Sequence, residues 1–193
     1  MPDDRPGPLI SSIDEHPWTE VKAQSHGGRR TSVWEKFLEW SPTRLVVYAR
    51  YDPGMVVERH GHASDHFVFV VHGEITVGDR ICAPGTHISL ERGAVFGPLV
   101  AGPEGATLYE IMCGDPRAIP ADPEGFERLL AERGIVALPN PPVTWPDWLA
   151  PRTDGDPGAP RAASVADRKS RSAHPRPQAD RWRQSETPTT RYG

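Results

Sequence analysis

Within one stretch of seven residues this chain carries three histidines, His60, His62 and His66, and the last opens an alternating run, Phe67-Val68-Phe69-Val70-Val71-His72. Side chains two apart on a strand share a face, so His60 and His62 point the same way, and the run after them has the two-residue period of a half-buried strand. Gly54 and Gly73 bracket the stretch. Neutral imidazole is a good ligand for divalent metals, and three so close together predict a metal site on β structure. Ala63-Ser64-Asp65 reads as the connection of a hairpin, with Val56–His62 going out and His66–His72 coming back.

The rest of the chain has an all-β rhythm. Leu45–Tyr51 is a predicted strand ended by the turn Asp52-Pro53-Gly54, and short apolar runs follow at Ile75–Val77, Arg80–Ala83 and His87–Leu90, each set off by Gly, Pro or Asp. Ala106–Met112 is the last of them. Turns at such close spacing predict a sandwich or barrel. Trp34, Phe37, Leu38 and Trp40 form an apolar cluster that reads as a strand or a short helical turn on the barrel. Beyond it, Asp122-Pro123-Glu124 has the form of a helix start, Phe126, Leu129, Leu130 and Ile135 lie at helical spacing, and Gly134 supplies a stop. The segment LPNPPVTWPDWLAP then runs extended, with Trp145 and Trp148 as anchors to the barrel.

Charge and composition narrow the function. At 193 residues with a net charge of −4, the chain is neither a nucleic-acid binder nor a membrane-surface protein by charge, and no apolar run is long enough to span a bilayer. No signal peptide is visible at the N-terminus, and two cysteines make no disulfide framework, so a cytoplasmic location is expected. Residues 151–193 hold 9 basic and 5 acidic residues and one aliphatic side chain larger than alanine, Val165. Such a segment buries too little to offset its chain entropy, and a disordered basic tail is expected there. The expected organisation is an N-terminal arm over 1–30, a barrel over 31–115, a helix and Pro/Trp-rich wrap over 116–150, and the tail.

The interval Gly54-x5-His60-x-His62-x3-His66-x6-Gly73 resembles the first motif of the cupin superfamily, with histidine where that motif usually has glutamate. The longer pattern over residues 30–115 is similar to small cupins of the dihydroxyacetophenone dioxygenase and anti-sigma-factor types. The resemblance implies an all-β fold, a cupin-type antiparallel barrel (jelly roll), followed here by the C-terminal helix and the tail. It also implies a single metal and pairing of barrels into a homodimer. A second motif aligns best from Gly85 to Val100, but Phe96 stands where the family has its fourth ligand, histidine. His87 falls two residues short of that position, and His72 reads as a rim residue.

The expected metal ligands are therefore His60, His62 and His66, and the resemblance points to Fe(II) first, with Zn, Ni or Cu also suited to imidazole. Phe96, Val68, Val70 and Met112 are expected to line the substrate pocket, with Glu110 and Tyr109 as catalytic groups and Glu58 and Glu91 as further candidate acids. The implied activity is that of a mononuclear non-haem dioxygenase taking a small organic substrate and dioxygen. A redox-neutral lyase, isomerase or cyclase is the alternative, and a non-enzymatic cupin that binds a metal or small ligand is a third.

Overall fold

The computed structural model describes residues 7–149. The expected tail over 151–193 lies outside the described residues. Ten strands and one α-helix follow in chain order: β1 (Thr19–His26), β2 (Arg29–Ser41), β3 (Arg44–Tyr51), β4 (Val56–Val57), β5 (His60–Val77), β6 (Arg80–Cys82), β7 (His87–Leu90), β8 (Val95–Phe96), β9 (Leu99–Pro120), α1 (Pro123–Glu132) and β10 (Ile135–Ala137). All pair antiparallel in one sheet of order β10-β1-β2-β3-β9-β5-β6, with β4 on β9 and both β7 and β8 on β5. This is the expected jelly-roll barrel. The sheet starts at Thr19, so β1 takes in residues that the sequence reading leaves in an N-terminal arm, and the 34–40 cluster is strand throughout.

Two long strands organise the barrel. β5 has 18 residues and β9 has 22, and they pair along most of their length. The hairpin expected at Ala63–Asp65 is absent: His60 to Val77 is one strand. Ala63, Ser64 and Asp65 pair with Asp115, Gly114 and Cys113, so their backbone groups go into the ladder rather than a turn. The departure from regularity lies in the partner strand. His62 pairs with Ala118 but Ala63 with Asp115, so Pro116 and Arg117 bulge out of β9 and the ladder bends there.

Inward residues of β3, β5 and β9 make the main core, in which Ala49, Val68, Val70, Ile75, Leu99, Leu108 and Met55 are all nearly inaccessible. The helix forms where the sequence predicts it. Asp122 caps it by accepting from Gly125 N at 2.9 Å, and Gly134 follows with φ +65°. Leu130 and Ile135 pack with Val56, together with Phe126 and Leu129. One edge of β1 is thereby covered by β10 rather than left open.

Candidate active site

The bend in β5 creates the site. Four residues of regular strand advance about 13 Å, yet the rings of His62 and His66 lie 4.9 Å apart between centroids, and those of His60 and His62 lie 5.0 Å apart. All three side chains point inward and are buried. They open on a cavity of ≈ 220 Å³ walled by Val33, Phe37, Leu45, Val57, Phe96 and Met112, with Glu35, Tyr51 and Glu110 among them. Lys22 lines the cavity on the β1 side, where its ammonium pairs with Glu58 at 3.3 Å.

Each imidazole has one nitrogen assigned by its surroundings. His60 Nδ1 lies 2.8 Å from the Glu58 carbonyl oxygen, and His62 Nδ1 lies 2.7 Å from the Pro116 carbonyl oxygen. A carbonyl only accepts, so both Nδ1 atoms carry the proton and both Nε2 atoms carry the lone pair. His66 is turned the other way: its Nε2 donates to Glu110 Oε2 at 2.9 Å, and its buried Nδ1 has no hydrogen-bond partner among the described residues. Burial holds His60 below its ordinary pKa. Burial, helped by the neighbouring His66 and His60, takes His62 down to about 3. Both are therefore neutral near pH 7.

The carboxyl groups are set apart from one another. Glu110 accepts from His66 on one oxygen and from the Tyr51 hydroxyl, at 3.5 Å, on the other. Glu35 is pushed up to about 8, first by burial and then by the charge of Glu110. Burial, Glu110 and Glu35 together raise the Tyr51 phenol well above its usual range.

Comparison with protein-family models finds no match, nor does comparison with curated proteins. Solved structures do resemble the chain. KdgF from a Halomonas species is 24% identical over 52% of this chain and 90% of its own, with a TM-score of 0.42. An RmlC-like cupin from Shewanella frigidimarina is 18% identical over 62% of this chain and 96% of its own, TM-score 0.45. For a putative acetylacetone dioxygenase from Methylibium petroleiphilum the identity is 16%, over 65% and 88%, with a TM-score of 0.49. The fold rests on the chain's own architecture: an antiparallel jelly roll carrying Gly54, His60, His62 and Gly73 at the spacing of the motif.

The chain has the cupin fold. Cupins typically bind a divalent metal, and the donor chemistry here fits one. In each of the three imidazoles one nitrogen is held by an oxygen acceptor, the usual way a ligating histidine is oriented, and the buried Nδ1 of His66, without a partner among the described residues, is a lone pair in want of a proton donor or a metal ion. The donors do not stand ready around one point: among the described residues no three histidine, cysteine or carboxylate side chains form a metal cage.

The other expected residues divide by face and depth. Phe96 and Met112 line the cavity, and Phe96 packs on His60 and His66 with centroids 4.7 and 5.5 Å away. Val68 and Val70 lie in the core and are not among the cavity-lining side chains. Tyr109 is not brought to the cavity at all. As the strand neighbour of Glu110 it points to the opposite face, where it lines an outer depression with Leu9, Ile10 and Leu38. His87 is on that outer side too, stacked on Phe67, and a register shift after Val70 leaves His72 exposed. Glu91 is exposed on the turn after β7. Sequence reasoning missed Glu35, Tyr51 and Lys22. It also missed the part played by the proline-rich segment, whose Val143 and Trp145 reach over the barrel to line the cavity, Trp145 edge-on to Trp40 at 5.6 Å.

Among the described residues no helix is long and apolar enough to cross a membrane.

Proposed function

We propose that this chain is a metal-dependent cupin enzyme for a small organic substrate, working as a mononuclear iron(II) dioxygenase. The observation that carries the reading is three buried imidazoles, each oriented by an oxygen acceptor, opening on one largely apolar cavity. His60, His62 and His66 would hold the ion. Such an ion supplies an electrophilic centre for a substrate oxygen and, if it is iron, a redox centre for dioxygen. Neutral ligands leave its charge uncompensated, which favours a substrate that presents an anionic oxygen, an enolate or a phenolate.

The chain's own residues do the remaining work. Glu110 keeps the proton of His66 on Nε2 and so keeps the Nδ1 lone pair free. Phe96 packs on two of the rings and keeps water from their backs. Phe37, Leu45 and Met112 give the substrate an apolar seat, and Val143 and Trp145 shield its outer end.

A redox-neutral lyase, isomerase or cyclase is the second reading, favoured by the presence of Glu35, Glu110 and Tyr51 in the same cavity, because such a set moves protons without an oxidant. Metal analysis of anaerobically purified protein, with oxygen uptake measured over a panel of phenols and dicarbonyls, separates the two. About one iron per chain, lost in His66→Ala, with oxygen consumed in turnover supports the dioxygenase. Zinc and turnover without oxygen uptake move the assignment to the second reading. Protein free of any metal refutes both.

A further inference from the structure

Glu35 is a half-buried acid, lining the cavity, that neither the proposed metal site nor the core explains. It sits on β2, and its place follows from register: Glu35 pairs with Ala49 on β3, and Ala49 with Leu108 on β9. The next inward row is Phe37, Val47 and Glu110. Residues directly opposite one another point the same way, so Glu35 and Glu110 enter the barrel on neighbouring rows. On β3 between them stand Ala49, opposite Glu35, and Val47, opposite Glu110, both fully buried, and Ala49 has no side chain beyond Cβ.

The two acids are not equivalent. Both oxygens of Glu110 accept hydrogen bonds, from His66 and from Tyr51, which suits a carboxylate. Glu35 makes no hydrogen bond or ion pair among the described residues, yet its side chain lines the cavity that holds the histidines. A buried carboxylate without a partner is expensive, whereas a carboxylic acid facing a cavity can find its partner in a ligand. Burial and the adjacent negative charge favour that neutral form as well.

We propose that Glu35 is the proton donor to the oxyanion of the substrate bound at the histidine end of the cavity. The assignment rests on that cavity being the active site of a metal-dependent enzyme, and it adds the acid that such an enzyme needs. In the step, the O–H bond of the Glu35 carboxyl breaks as an O–H bond forms on the enolate or phenolate oxygen. The electron pair of the old bond stays on Glu35 as carboxylate, and solvent returns the proton after product leaves. No oxidant enters, so the step serves a dioxygenase and a redox-neutral enzyme alike. It also selects substrates: a small molecule that ionises at oxygen gains a hydrogen bond from Glu35, and one that stays a hydrocarbon leaves the acid unpaired.

The test uses para-nitrophenol, whose phenolate is coloured, titrated into the full-length protein as purified and into Glu35→Gln. The titratable groups that line the same cavity as Glu35 are Lys22 from β1, Tyr51 from β3, Glu110 from β9, and His60, His62 and His66 from β5, and all of them remain in the variant. Affinity that depends on a protonated acid falls up to about tenfold per pH unit once that acid ionises. Expressed per phenolate anion, affinity of the wild-type protein should fall at least about fivefold from about pH 7 to about pH 9, and that of Glu35→Gln less than about twofold. The same slope in both proteins overturns the assignment to Glu35. If neither binds the phenolate while metal stays at about one per chain, the proposal falls and the metalloenzyme reading stands. If metal is missing too, both fall. Should Glu35→Gln not fold, the wild-type protein still decides: an infrared band of a protonated carboxylic acid should be present near pH 7 and lost on raising the pH, and its absence overturns the proposal.

Discussion

Gly73 closes the histidine-bearing segment, and the structure says what an added methyl group would cost there. Its φ is +66°, and a Cβ would fall well inside contact distance of the Gly105 carbonyl oxygen, with the carbonyl carbon at 2.9 Å and Ala106 Cα at 3.1 Å. All of these are backbone atoms of β9, so no side chain can swing away. Gly85 is the control: its φ is +88°, but a Cβ there meets nothing within 4 Å. A left-handed alanine costs about 1–2 kcal/mol, and the stiffer unfolded chain returns about 0.4–1 kcal/mol of it. Gly85→Ala should therefore lose about 1 kcal/mol. Gly73→Ala adds an overpacking cost of about 1–3 kcal/mol, for a total near 3 kcal/mol. At about 2–4 °C per kcal/mol for a chain of this size, the expected falls in Tm are about 3 °C for Gly85→Ala and about 9 °C for Gly73→Ala. Parallel thermal melts of the two variants and wild type make the measurement. Equal losses would refute the reasoning, because they would mean that β5 and β9 can part at this crossing without cost.

Three further outcomes are expected. Glu110→Gln removes the carboxylate that orients His66 and should weaken metal binding about 10–100-fold, read by competition with a chromophoric chelator, while the barrel's circular dichroism is unchanged. Glu35 is raised from its unfolded value of 4.5 to about 8 in the folded protein, so the native state holds a proton that the unfolded chain releases. Stability from this group is thus present below about pH 4.5 and lost as pH rises through about 8. Urea melts of Glu35→Gln against wild type should show the variant gaining relative stability across that window, and a constant difference would contradict the shift. Asp122→Ala removes the cap on Gly125 and should cost about 1 kcal/mol, seen as a small fall in Tm with metal binding intact.

Much of this was readable before any coordinates. The two-residue spacing of His60 and His62 put them on one face, and the Asp122-Pro123 start and Gly134 stop framed the helix. Other features depend on partners distant in sequence. Ser64 and Asp65 look like turn residues, and nothing nearby reveals that Gly114 and Asp115 will pair with that stretch, or that the bulge at Pro116 and Arg117 will bend it. Glu35 was open to the sequence by alternation: it shares the parity of Phe37, and the register shift of β2 comes only after Phe37. A reading of the 34–40 cluster by its apolar members passed over it. The same holds for Tyr109. Neighbours on a strand cannot both face inward, and that rule alone could have separated it from Glu110.

On the proposed metal site, the contiguity of His60, His62 and His66 along β5 bears on how the protein would acquire an ion. Seven consecutive residues hold all three proposed ligands, so on that reading the unfolded chain would itself be a chelating peptide. Metal would be open to capture during synthesis, before β9 has emerged to build the barrel around it. The same circumstance separates affinity from stabilisation, because an ion that binds both states raises the melting temperature by less than its affinity for the native state implies. A modest thermal shift on adding metal would therefore be compatible with a tightly held ion.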